Sequence, residues 1–131
     1  LREGGRIGVV VPGNAVDPDE AHAVPLPVEL ADATGADWHC FRSAEWWRRH
    51  WSRTLCVDVE HAAMVAGGRE DWYRQGEAVA AYSERAAEFL FNGPLLTCEA
   101  GQSLGFARLV ARRNEKSSLH FGPGDFATRI A

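Results

Sequence analysis

Phe41-Arg-Ser-Ala-Glu-Trp-Trp-Arg-Arg-His-Trp-Ser-Arg-Thr-Leu-Cys-Val-Asp-Val-Glu60 is the stretch whose pattern decides the fold. Ser43 is a favourable helix N-cap, because its hydroxyl can accept a hydrogen bond from a backbone amide of the first turn. Glu45 lies in that turn and basic residues follow towards the end, an order that suits the helix dipole. From Leu55 to Glu60, apolar and polar residues alternate, as in a strand with one buried face. The stretch therefore predicts a short helix that leads directly into a strand.

Four of the five tryptophans of the chain lie between Trp38 and Trp51. Trp47 and Trp51 are four residues apart and share one helix face, while Trp46 and His50 form a second such pair on a neighbouring face. Tryptophans at this spacing are typical of a helix that packs on a core, and we interpret Trp47 and Trp51 in this way. For Trp46 both interpretations stay open, core packing or an aromatic wall for a flat ligand.

The composition is that of an ordinary soluble globular domain, with 131 residues, 46% hydrophobic and 24% charged. The net charge of −4 argues against a nucleic-acid partner, since such domains usually carry a basic excess. No apolar run is long enough to cross a membrane. The cysteines Cys40, Cys56 and Cys98 are odd in number and not spaced as metal ligands, so we expect reduced thiols, no metal and a cytoplasmic protein.

The first apolar run, Ile7–Val11, is bounded by Gly4-Gly5 and Pro12-Gly13. Short runs rich in β-branched residues predict a strand buried on both faces. The proline-containing loop 14–27 leaves the carboxyl end of this strand, where ligands bind in open α/β sheets, so it is either a pocket wall or a plain connection. The chain opens on a turn without an initiator Met, and we expect either a longer gene product or a partner that completes the sheet.

The second half of the chain predicts a helical turn at Val28–Thr34 and a long helix over Arg69–Phe91, which Asn92-Gly93-Pro94 ends. Beyond it, Leu95–Glu99 and Leu104–Arg112 flank a four-residue connection and predict a hairpin, with its second arm interior to the sheet.

The order of elements predicts an α/β fold with a partial Rossmann-like mixed sheet. A parallel strand–helix–strand unit is followed by the long helix and the antiparallel hairpin, with helices packed on the sheet. We expect residues 1–113 to form this domain and the polar residues 114–131 to form a flexible tail.

The order of the predicted elements and several short sequence segments resemble the C-terminal half of a class I S-adenosylmethionine-dependent methyltransferase. Leu1-Arg2-Glu3-Gly4-Gly5 and the strand after it resemble the "L-x-P-G-G" turn and fifth strand of that family, with Glu3 in place of the proline. Residues 41–60 resemble the helix and sixth strand that follow. The tryptophan cluster, Trp72 and the segment Leu104–Arg108 are similar to one bacterial branch of small-molecule methyltransferases. The resemblance covers about residues 1–113.

This resemblance implies methyl transfer from S-adenosylmethionine to a small-molecule acceptor by direct displacement from a sulfonium. In the family, a glycine-rich loop after the first strand and an acidic residue after the second hold the cofactor. Neither motif is in this chain, so no cofactor-binding residue is assigned, and the chain is expected to be the acceptor-side portion. Whether it is an enzyme by itself stays open. The alternative is a non-enzymatic module that pairs through its incomplete sheet, as a homodimer or with a missing N-terminal half.

The candidate site residues are few. His39 and His50 are candidates for a general base, because imidazole titrates near neutral pH. Trp46, His50 and Trp72 are candidates for binding the acceptor by aromatic or cation–π contacts. A structural role or simple exposure is the competing interpretation for each of them.

Overall fold

The computed structural model describes residues 1–82 and 93–114. The strands in this part of the chain are β1 (Arg6–Asn14), β2 (Val57–Met64) and β3 (Leu104–Arg113). The α-helices are α1 (Val28–Thr34), α2 (Ala44–Ser52), α3 (Gly68–Tyr82) and α4 (Gly93–Thr97), and short 3-10 helices span Gly35–Cys40 and Ala100–Ser103. None of the helices in the described residues is long and apolar enough to cross a membrane.

The described strands form one sheet in the order β1-β3-β2, and both outer strands are antiparallel to β3. The fold is therefore mixed α/β, as predicted, but its neighbouring strands pair antiparallel. β1 and β2 run in the same direction but do not pair, because β3 lies between them. The expected parallel strand–helix–strand unit is corrected in this respect: the helical crossover joins two strands that are not neighbours in the sheet but lie on either side of β3.

The predicted hairpin is wrong in its first arm. Leu95 and Leu96 lie in α4, and both are 2% exposed in the same hydrophobic cluster. Adjacent residues of a strand point to opposite faces, whereas adjacent residues of a helix can share one. The second arm is confirmed as the central strand β3, where Ala107, Leu109 and Ala111 are fully buried.

Strand β2 begins at Val57 rather than at Leu55. Leu55 has a φ of 58°, which belongs to a turn and not to a strand. The strand also continues four residues beyond Glu60, and a bulge between Val59 and His61 leaves Glu60 out of register.

Strand β1 is an edge strand, contrary to the expectation that both of its faces are covered. It also continues through Pro12-Gly13 to Asn14. Ile7 is 40% exposed and Val10 is 58% exposed. These two side chains lie on opposite faces, because Ile7 pairs with Ala111 and Val10 pairs with Arg108. The reason is topological: β1 lies at the edge of the sheet and α2 packs mainly on β2 and β3, so that within β1 only Val9 and Val11 pack against the hydrophobic cluster that contains Ala44 of α2.

Two hydrophobic clusters hold the helices to the sheet. The sheet cluster joins Ala44 of α2 to Ala107 and Leu109 of β3, and Trp47 and Trp51 pack against it as expected. The aromatic cluster lies at the other end of β3, with α3 and α4 around it. Its buried members are Trp38, Phe41, Trp72, Leu95, Leu96, Ala100 and Leu104.

The remaining local predictions are confirmed where the structure describes them. Helix α1 has the predicted bounds, and Ser43 caps α2 by accepting a hydrogen bond from the Trp46 amide at 3.0 Å. Helix α3 begins one residue before the predicted start and runs through Gly76 without a break. The predicted helix end near Phe91 and the tail 115–131 lie outside the described residues.

Candidate functional site

A cleft of about 350 Å³ opens between the loop after β1 and the outer side of α2. The loop and the helix contribute its lining residues, Asp17, Asp19, Glu20, Trp46, Arg49, His50 and Arg53. The loop therefore forms one wall, the first of the two alternatives that the sequence left open. The volume of the cleft is at the small end of the range for ligand pockets.

Asp17 fastens the loop to the start of α2. Its carboxylate is 3% exposed and accepts hydrogen bonds from the Ser43 amide at 2.7 Å and from the Ser43 hydroxyl at 2.9 Å. Ser43 in turn caps α2, so one buried carboxylate orients both the helix N-terminus and the loop. This contact decides how far the two walls of the cleft stand apart.

Arg42 makes a second connection between the walls. Its guanidinium donates to Asp19 in the loop at 2.5 Å and lies 5.4 Å from the centre of the Trp46 ring. The second contact is a cation–π interaction, which orients the indole at the mouth of the cleft.

Trp46 and His50 form a parallel stack. Their ring centres are 4.7 Å apart and their planes differ by 9°. The i,i+4 spacing on α2 brings them together, as the sequence predicts. Trp47 also contacts both rings edge-on, at 5.0 Å and 5.9 Å, and supports the pair from the side of the sheet. A ligand in the cleft would meet a flat, rigid aromatic surface with an imidazole in it.

The charged groups of α2 are divided between the cleft and the solvent. Arg48 faces away from the cleft and pairs with Glu45 at 2.7 Å. This hydrogen bond lowers the pKa of Glu45 and raises the pKa of Arg48. Arg49 and Arg53 line the cleft instead.

The other predicted site residues lie elsewhere. Trp72 is buried in the aromatic cluster, 5.6 Å from the Phe41 ring and stacked on Phe106 at 5.2 Å. It is therefore not a wall of this cleft. His39 is exposed in the 3-10 helix Gly35–Cys40 and is not a lining residue. Of the four predicted residues, the structure brings together Trp46 and His50.

Sequence reasoning did not single out Asp17 or Arg42, and for Arg48, Arg49 and Arg53 it favoured a charged helix face over an anion site. Asp17 lies 26 residues from its partner Ser43, and no local pattern signals a contact at that separation. The sequence offered one general signal: the backbone amide of a buried helix N-cap residue needs a hydrogen-bond acceptor from elsewhere in the chain.

The described residues around the cleft contain neither a metal-ligand cluster nor a glycine-rich turn after β1. No group of three or more His, Cys, Asp or Glu residues in the described parts of the chain could hold a metal ion. After β1, the chain enters a loop with Pro18, Pro25 and Pro27, and α1 begins at Val28 without a side-chain cap. No glycine-rich turn leads there from a strand into a helix, so the segment after β1 does not have the form of the cofactor loop described for the methyltransferases that the sequence resembles.

The chain matches no model of a known protein family, and it matches no curated protein.

Proposed function

We propose that this chain is the acceptor-side portion of an S-adenosylmethionine-dependent methyltransferase that transfers a methyl group to a small molecule. The proposal rests on the sequence and the surroundings of strand β1. The turn Leu1–Gly5 before it resembles the family's sequence pattern except for Glu3 in place of the proline, and the strand itself is apolar on both faces although its outer edge pairs with no described strand.

A strand that is apolar on both faces is typical of the interior of an α/β sheet, where helices cover both sides. Here the apolar side chains Ile7 and Val10 are exposed on opposite faces, and the outer edge pairs with no described strand. These are the properties expected of an interior strand whose neighbours belong to another part of the protein. In this proposal the sheet is the partial Rossmann-like sheet that the sequence predicts, and the cofactor-binding half pairs with β1.

The cleft is then the acceptor site. It lies at the carboxyl end of β1, the end of a strand at which α/β sheets bind ligands. The Trp46–His50 stack orients the acceptor, and the imidazole of His50 is the one group of the stack able to take a proton from it. S-adenosylmethionine supplies the methyl group when it is bound by the other half, so this chain contributes orientation and exclusion of water.

The test compares two proteins, the 131-residue chain and the full reading frame to which it belongs. Calorimetric titration with S-adenosylmethionine, and with S-adenosylhomocysteine as a second ligand, measures cofactor binding by each. We expect saturable micromolar binding by the longer protein and none by the folded 131-residue chain. An upstream sequence without a glycine-rich strand–loop–helix, or two folded proteins that both fail to bind, would contradict the proposal.

A second candidate is a non-enzymatic module that associates through its sheet. The open edge of β1 favours it, because an unpaired apolar edge is a template for another strand. Light scattering on the purified chain distinguishes the two candidates when it is read together with the calorimetry. A stable stoichiometric dimer without cofactor binding by the full reading frame supports the module.

A further inference from the structure

The carboxylates of the cleft are all engaged within the protein. Asp17 accepts from Ser43, and Asp19 accepts from Arg42. Glu20 lies 3.1 Å from the Nε2 atom of His22, which is outside the cleft lining. A cationic ligand would therefore have to displace an existing partner from each carboxylate.

The basic side chains of the cleft are less fully engaged. The Arg49 guanidinium forms ion pairs with Glu45 at 3.7 Å and with Asp17 at 4.0 Å, but both distances are beyond hydrogen-bond length. Within residues 1–82 and 93–114, the side chains of His50 and Arg53 make no hydrogen bond or ion pair. Arg49 lies in α2 and Arg53 is its C-cap residue with helical backbone angles, so the two lie four residues apart on one side of the helix with His50 beside them.

We propose that the cleft binds the anionic group of a small organic molecule, a carboxylate or a phosphate, through Arg49 and Arg53. A guanidinium presents a planar fork of donors that matches both anions, and two of them four residues apart can hold one anion from two directions. His50 adds a ring nitrogen, and its stack on Trp46 provides a flat surface for the rest of the ligand. This inference rests on the proposed function, for which it names the acceptor class: a small acid.

The test measures binding of simple anions to the purified chain and needs neither cofactor nor activity. The probes are benzoate, inorganic phosphate and the neutral analogue benzamide, in a buffer of low chloride. The readout is the indole N–H signal of Trp46 in a nitrogen–proton correlation spectrum, assigned as the peak that disappears in Trp46→Phe. The variant is the double substitution Arg49→Gln/Arg53→Gln.

Arg48→Gln is the matched control. It removes one positive charge from the same helix, where the double variant removes two, and Arg48 pairs with Glu45 and does not line the cleft. We expect saturable shifts with benzoate or phosphate, about tenfold or more weaker in the double variant and unchanged in Arg48→Gln. Saturation by benzoate identifies a carboxylate acceptor, and saturation by phosphate alone identifies a phosphorylated one.

Three results would overturn the inference: no saturable shift with either anion, equal binding of benzamide, or an equal loss in Arg48→Gln. Because the double variant changes exposed side chains, its circular dichroism spectrum should match that of the parent chain. Failure here leaves the proposed function standing, since cofactor binding by the full reading frame is measured separately.

Discussion

At the scale of single residues, the side chain that most directly shapes the cleft is Asp17. Its carboxylate serves as acceptor for an amide that the N-terminus of α2 leaves free and for the hydroxyl of the capping serine. Removing an acceptor from buried donors is costly, because the donors lose water on folding and gain nothing in return. Asp17 is thus as important to α2 as the cap itself.

We expect Asp17→Ala to lower the free energy of unfolding by about 2 kcal/mol and Ser43→Ala by about 1 kcal/mol. The double variant should lose less than the sum, because the two residues share their hydrogen bonds. Urea denaturation measures all three values. Asp19→Ala, which breaks only the exposed ion pair with Arg42, is the control and should cost between about 0 and 1 kcal/mol. An Asp17→Ala variant as stable as this control would show that the loop is not anchored by its carboxylate.

At the scale of elements, the three strands are joined across the sheet face opposite α2 by one carboxylate. The bulge in β2 carries Glu60, which bonds the Arg6 guanidinium of β1 at 2.7 Å and lies 3.5 Å from Arg112 of β3. The hydrogen bond from Arg6 lowers the pKa of Glu60, and the charge of Arg112 adds to the effect. The interaction spans from one outer strand to the other over the central one.

The contribution of Glu60 to stability should therefore depend on pH in a defined direction. A carboxylate whose pKa is lower in the folded state stabilises the fold above its unfolded pKa, near 4.5, and loses this effect as the pH falls through the folded pKa. We expect the stability difference between the parent chain and Glu60→Gln to be largest near neutral pH and to shrink below about pH 4.5. Urea denaturation across this range measures it. Glu29→Gln, which removes an exposed carboxylate from α1, is the control for loss of charge alone.

Two glycines should respond in opposite ways to the same substitution. A Cβ at Gly13 in β1 would lie 2.7 Å from the Arg42 carbonyl oxygen and 3.3 Å from the Ala107 side chain, so Gly13→Ala forces the backbone of β1 to move. A Cβ at Gly76 in α3 meets no atom within 4 Å. We expect Gly13→Ala to destabilise the chain by about 1–3 kcal/mol and Gly76→Ala to stabilise it by about 0.5–1 kcal/mol. Thermal unfolding measures whether each variant is more or less stable than the parent chain. A destabilised Gly76→Ala variant would contradict the continuous helix.

At the scale of the whole molecule, the two outer edges of the sheet differ. The β2 edge carries a bulge and the charges of Asp58 and Glu60, features that discourage pairing with another strand. Within β1, Ile7–Val11 carries no charge and no described bulge. Of the two outer edges, the β1 edge is therefore the one at which a further strand can pair with the sheet.

We expect the isolated chain to self-associate at high concentration through β1, because no described strand pairs with its outer edge. Val10→Lys places a charge in the middle of the edge strand and should reduce this association with little effect on the monomer, since Val10 is already 58% exposed. Val28→Lys is the matched control, because Val28 is also exposed but lies in α1. Light scattering gives the mass of each species. A parent chain that stays monomeric at every concentration would argue against an interface at β1.

The sequence by itself determined the elements whose signals are local. The cap and the two faces of α2, the bounds of α1 and the start of α3 follow from side chains within a few residues of each other. The same holds for the pairing of Trp46 with His50, since four residues of helix fix their separation. The interior position of β3 was also predictable, because the segment Leu104–Ala111 is apolar on nearly both faces.

Only the tertiary structure decided which strands are neighbours, what covers each one and where the loops meet. Leu95 and Leu96 are apolar enough for a strand, and the shape of the aromatic cluster selects a helix. The apolar run of β1 indicated burial, but its surroundings depend on where α2 packs. The partner of Asp17 lies 26 residues away. The physical reason is the same in each case: hydrophobic burial has no direction, so a local pattern specifies that a face is to be covered but not which distant segment covers it.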